Sequence, residues 1–204
     1  MTKKNDPNIP TPTVDQIEDY LKKWEQLDDK KYKCQEESLD LLFKELSPNN
    51  TELKHILLKC ASLNDFYSTN IFSLYPVAKH ILELNIDERL KSYDPKLVSD
   101  IQKVSISDVE KNFYSFASKY CSHHNPDDYP IYDSYVDEVL RYFRYKKELS
   151  FKNDDLKDYD KFKSVILAFQ EKFSLQKYNL KQIDRYLWQL GKEYFPKKYK
   201  KKNN

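Results

Sequence analysis

A chain of 204 residues, 39% hydrophobic and 15% aromatic, has material for a sizeable core, and its 33% charged residues suit many exposed helix faces. The single glycine, Gly191, excludes the glycine-rich cradles of P-loop and Rossmann nucleotide sites and argues against sheets joined by tight turns. Net charge is +2, yet Lys192 to Asn204 holds six lysines and one glutamate, which leaves the rest at −3; a globally basic nucleic-acid binder is excluded, and a basic tail on a near-neutral body is not.

Taken in order, residues 1–12 read as a flexible leader without the apolar run of a signal peptide. Thr13-Val14-Asp15-Gln16 has the form of a capping box, and Val14, Ile17, Leu21 and Trp24 share one face of the helix it opens. A second helix is expected after Asp28-Asp29, with Leu39, Leu42, Phe43 and Leu46 inward, stopped by Ser47-Pro48. Leu53, Ile56, Leu57 and Cys60 form the next stripe, and a bend is expected between Asn64 and Asn70. Pro76 suits the first turn of a helix carrying Val77, His80, Ile81 and Leu84. Asp94-Pro95 opens a short helix with Leu97, Val98 and Ile101 inward. Ser107-x-x-Glu110 has the form of another capping box, so residues 107–124 are expected to be helical or helix-turn-helix. Asp133 caps a helix carrying Val136, Val139, Leu140 and Phe143; Asp154 or Asp155 opens one with Phe162, Val165, Ile166, Phe169 and Phe173; Asn179 caps the last, with Leu180, Ile183, Leu187 and Leu190. No strong alternating strand pattern stands out. The expectation is an all-α chain of about eight to ten helices in two packed lobes over residues 13–195, followed by a basic, disordered tail over 196–204.

Cys34, Cys60 and Cys121 are odd in number, widely spaced and without a CxxC pair, which reads as reduced thiols in a cytoplasmic protein. No run approaches the ~18 apolar residues of a membrane span. Cys121, His123, His124, Asp127 and Asp128 resemble a metal cluster at a glance, but adjacent helical histidines diverge by about 100° and the spacing fits no zinc pattern, so neither metal nor cofactor is expected. Asp133 is accounted for as a helix cap or as a catalytic carboxylate. Lys119 is a solvated helix lysine or, if the aromatic residues Phe113, Tyr114, Phe116 and Tyr120 wall it in, a desolvated amine fit for Schiff-base chemistry.

The segment SFASKYCSHHNPDDYPIYDSYVDEVLRYF resembles the helix-hairpin-helix (HhH-GPD) DNA glycosylases, above all the divergent branch related to 8-oxoguanine glycosylases. Pro130, Ile131, Asp133, Ser134 and Val136 match that family's helix-opening P-V-D-T-H-V-like segment, and Lys119 stands where bifunctional members carry a lysine. LNDFYSTNI and IDRYLWQLGK are also similar to segments of that branch. Tyr114 to Ser118 would replace the glycine-bearing hairpin of the family. The resemblance implies a helix-hairpin-helix glycosylase-like fold and excision of a damaged or modified base from duplex DNA. Asp133 would stabilise the sugar cation and activate the nucleophile, and Lys119 would attack C1′ and form the Schiff base of a lyase step. A pocket for the extruded base would draw on Tyr132, Tyr135, Phe116 and Trp188, and phosphate contacts on Ser118, Lys111 and Ser134. The alternative is a noncatalytic helical module on the same scaffold, binding nucleic acid or protein.

Overall fold

The computed structural model describes residues 7–26 and 31–197, and they are mostly helical. The helices are α1 (Val14–Glu25), α2 (Lys31–Asp40), α3 (Leu53–Phe66), α4 (Leu74–Glu83), α5 (Asp87–Lys91), α6 (Leu97–Gln102), α7 (Tyr114–His124), α8 (Ser134–Tyr145), α9 (Tyr159–Lys172) and α10 (Leu180–Tyr194). Between α6 and α7 stand two short antiparallel strands, β1 (Lys103–Ile106) and β2 (Val109–Asn112). The expected leader and tail fall largely on residues 1–6 and 198–204, outside the described residues; Ile9, within the leader, is buried against the body.

Local chemistry explains the starts of α1, α8, α9 and α10. Thr13 Oγ1 accepts from the amide of Gln16 (3.2 Å), and Asn179 and Gln182 form a reciprocal capping box on α10. The inward stripes of α6, α8 and α10 are the expected ones. Helix α9 opens later than expected: Asp154 and Asp155 belong to a separate single turn, and Asp158 caps α9 through the amide of Lys161.

Two expectations fail for identifiable reasons. After α2 the chain widens into a π-helical turn over Leu41–Leu46, closed by Ser47 N–H donating to the carbonyl of Leu42. That extra residue rotates the sequence after Phe43, so Leu46 faces solvent and Ser47 is buried instead. The second failure is the expected capping box at Ser107, which is a hairpin turn. Ser107 and Asp108 have φ of 50° and 61°, and the register pairs Ile106 with Val109. A two-residue hairpin loop of this kind wants glycine or asparagine, which is why it was unreadable here. Consequently Tyr114 to Ser118 are the opening turns of α7, not a hairpin.

One apolar cluster runs from Ile9 to Leu190, and α8 packs on α10 at its centre. Gly191 makes that contact possible: a Cβ there would lie 2.6 Å from Tyr135 Cβ and 2.9 Å from the Tyr135 carbonyl oxygen. Gly191→Ala should therefore destabilise by about 1–3 kcal/mol, overpacking outweighing the ~1 kcal/mol gained in helix propensity. Thermal unfolding of the variant checks this, and an unchanged or raised midpoint would contradict the close approach.

Candidate active site

A cavity of about 760 Å³ opens where the start of α7, the segment before α8, one face of α10, α2 and the turn after α3 meet. Its size lies within the range of small-ligand sites. Lys119 and Asp133 both line it, as do Ser134, Tyr132, Tyr135, Phe116 and Trp188.

Lys119 sits in the middle of α7 and is only 3% exposed. Its Nζ donates to Ser115 Oγ one turn earlier (2.6 Å) and to the carbonyl of Tyr132 (3.2 Å), and lies 5.2 Å from the centre of the Tyr67 ring. Burial lowers its pKa, the positive charge of Lys197 adds to that, and Asp133 and Asp184 oppose it. A lowered pKa enlarges the share of neutral amine, the nucleophilic form. The wall is partly as expected: Phe113, Tyr114 and Phe116 line the cavity, while Tyr120 points away into the core, its hydroxyl donating to Asn50 Oδ1 (2.6 Å).

Asp133 caps α8. Its Oδ1 accepts from the amides of Tyr135 (2.8 Å) and Val136 (2.9 Å). Both bonds go to one oxygen, so the cap fixes the carboxylate while Oδ2 stays outside it. Pro130-Ile131-Tyr132 is what brings that cap to the lysine. The Tyr132 carbonyl accepts from Lys119 and from Ser115 Oγ, the Tyr132 amide donates to Ser118 Oγ (3.1 Å), and Tyr159 hydroxyl donates to the Pro130 carbonyl. The cap and the amine are thus tied through one short strand of backbone.

Ser118 and Lys111 fall outside the cavity lining. Ser118 is fully buried and spends its hydroxyl joining α7 to the Tyr132 backbone. Lys111 is exposed on β2, opposite Val104. Ser118 therefore supports the Lys119–Asp133 pair only through the Tyr132 backbone, outside the cavity, and Lys111 is not brought to the pair.

Sequence reasoning missed several residues of the site. Asp184 of α10 lines the cavity, and burial pushes its carboxyl up to about 7; Lys181 lowers it, Asp133 raises it, and Lys119 lowers it. A carboxylate beside the inward Ile183 and one turn before Trp188 was the available signal. Tyr67 is held by His123, whose Nε2 is 3.0 Å from its hydroxyl; the other ring nitrogen of His123 is 3.9 Å from Asp40. Burial lowers the pKa of His123, with Asp40 opposing. Glu36 bridges Lys181 (2.6 Å) and Arg185 (2.9 Å) on the cavity edge; burial raises its pKa, but the two cations outweigh that and hold it low. His124 joins a separate buried network with Asn50 and Lys59. Among the described residues no group of three or more His, Cys, Asp and Glu side chains could hold a metal ion.

Asp184 makes a pH-dependent contribution whose sign follows from its raised pKa. Between its ordinary value near 3.8 and about 7 the folded chain binds more protons than the unfolded chain, so this stabilisation is full at low pH and lost as pH rises through 7. Asp184→Asn, which stays neutral, should match the parent near pH 4 and exceed it increasingly in melting temperature up to pH 7. A constant gap across that range in thermal scans would contradict the assignment.

Among known proteins, the family model described as the HI_0787_N N-terminal domain matches residues 16–128. An uncharacterized protein of Haemophilus influenzae (strain ATCC 51907 / DSM 11121 / KW20 / Rd) is 56% identical over 136 residues, which are 66% of this chain and 65% of that protein. The chain thus spans slightly less than two thirds of that relative's length. No solved structure matches. No helix among the described residues is long and apolar enough to cross a membrane. The matched span takes in α2 and Lys119 and ends before Asp133 and α10. It covers more than half of the sequence, and the chain belongs to the HI_0787_N N-terminal domain family.

Proposed function

We propose that this chain is a DNA glycosylase-like protein that excises a damaged or modified base, with Lys119 as nucleophile and Asp133 as the electrostatic partner. The observation that carries this reading is that a buried amine and a fixed carboxylate line one cavity of about 760 Å³ with aromatic walls. Such a space suits a nucleotide turned out of its stack, read by stacking and by polar groups at its base edges. The 115–143 segment, which resembles helix-hairpin-helix glycosylases, forms α7 with Lys119 midway along it and α8 with Asp133 at its start, which supports the reading.

The chemistry follows from the geometry. As the N-glycosidic bond breaks, its electron pair leaves with the base and positive charge builds on the sugar. Asp133, already locked by its two amide bonds, lowers the free energy of that charge without reorganising. The neutral amine of Lys119 attacks C1′; the resulting N,O-acetal opens to a Schiff base, releasing the ring oxygen with the proton shed by the amine. Asp184, near pKa 7, offers either a donor or an acceptor to the departing base at neutral pH. The test is incubation with duplexes carrying 8-oxoguanine, uracil and alkylated bases, with borohydride to trap the Schiff base. Absence of both excision and trapping across the panel would overturn the reading.

A noncatalytic module on the same scaffold is favoured by one observation. The hairpin turn presents Asp108, an acid, where phosphate contact would call for donors. That reading expects nucleic-acid or protein binding without turnover.

A further inference from the structure

A second, more open groove of about 530 Å³ adjoins the cavity and shares its wall of Tyr32, Trp188 and Lys192. Its remaining lining includes Tyr20, Lys23 and Glu193. We propose that this groove holds the nucleotide next to the extruded one, with the intervening phosphate on Lys192 and the outer one on Lys23, so that the protein grips an unpaired strand of at least two nucleotides. The inference rests on the glycosylase reading of the neighbouring cavity for what lies beside it.

Four features carry it. Lys192 stands at the boundary of the two spaces, its Nζ 4.1 Å from the Tyr32 ring centre and 4.5 Å from that of Trp188. Lys23 lies 4.6 Å from the Tyr20 ring. Both ammonium groups thus rest on ring faces, where they remain open to a phosphate oxygen, a stronger partner than a ring quadrupole. The carboxylate lining the groove, Glu193, is turned onto the Tyr20 hydroxyl, which donates to it at 2.7 Å. Tyr32 and Trp188 meet edge to face at 5.1 Å, so the two rings do not stack on each other. Interleaved cations and half-buried aromatic rings are what a single strand needs: charge for the backbone and π-faces for bases of any sequence. Helix α10 supplies the link, because Asp184 and Trp188 face the cavity and Lys192, a turn further on, reaches the groove.

The experiment titrates the full chain with thymidine 5′-monophosphate, with a five-nucleotide thymidylate strand and with a poly-glutamate peptide of equal charge, by calorimetry and by the fluorescence of its two tryptophans, Trp24 and Trp188. The strand should bind about tenfold more tightly than the mononucleotide, the worth of one further stacked base. Lys23→Gln, an exposed position lining only the groove, should remove that increment and leave the mononucleotide unaffected. It should also lower the salt slope by about 0.7, one phosphate's worth for a single strand. Equal affinity for strand and mononucleotide, or a strand affinity unmoved by Lys23→Gln and Lys192→Gln, would overturn the proposal. So would poly-glutamate binding as tightly as the strand, which would assign the groove to acidic peptide. Because thymidylate needs no excision, a protein that shows the increment but never excises a base would refute the glycosylase reading alone. One that excises without the increment would refute only the groove.

Discussion

Lys119→Met should leave no borohydride-trapped complex with any modified duplex while the protein stays folded. Lys181, Lys192 and Lys197 also line the cavity, but Lys119 is the amine that is almost wholly buried, aimed by Ser115 Oγ and the Tyr132 carbonyl, and held at a lowered pKa by that burial. Methionine keeps the length of the stem without the charge. Replacing a buried charge by an apolar side chain of similar volume is often neutral or stabilising, so a large fall in melting temperature is not expected. The tyrosine beneath the amine, Tyr67, keeps its tie to His123 in the variant. In the parent, trapping should rise with pH along a limb displaced below that of an ordinary lysine, because the neutral amine is the reactive form. Trapping that persists in Lys119→Met would assign the nucleophile elsewhere and sink this part of the mechanism.

The second large effect separates two jobs of one carboxylate. Asparagine caps helices about as well as aspartate, so Asp133→Asn should keep α8 in place, with stability within a few tenths of a kcal/mol. It should nevertheless lower turnover by about 10²–10³, the usual cost of removing one preorganised electrostatic group from a forming charge. Asp133→Ala loses the cap as well, because the amides of Tyr135 and Val136 then lack their acceptor, and should destabilise by about 0.5–2 kcal/mol. Single-turnover excision assays and chemical denaturation on both variants give the answer. Equal activity of Asp133→Asn and the parent would leave the residue as a helix cap and favour the noncatalytic module.

Most of the helices and their inward faces were readable because their causes are short-range, although the short α5 was not expected. A cap bond spans two or three residues, as at Thr13, Asp133 and Asn179, and an apolar stripe repeats every three or four, as along Leu180, Ile183, Leu187 and Leu190. The hairpin over 103–112 was not readable. Its strands are four residues each, β2 has no buried position to mark a face, and its turn puts Ser107 and Asp108 in the left-handed region that glycine usually occupies. The π-helical turn that exposes Leu46 was hidden for a related reason: one extra residue in a turn leaves no trace in composition.

Taken alone, the order of residues determined the helical class and the caps at Thr13, Asp133 and Asn179, since these follow from interactions within a few residues along the chain; the candidacy of Lys119 and Asp133 came from a family resemblance. Tertiary structure alone decided that the two share a cavity, that Asp184 and Tyr67 join them, that Ser118 and Lys111 do not, and that a groove lined by Lys23 and Lys192 continues the space. The physical reason is that these relations are set by how α7, α8 and α10 pack. The one residue without a side chain lets α10 approach the backbone of Tyr135, and no local pattern records that distance.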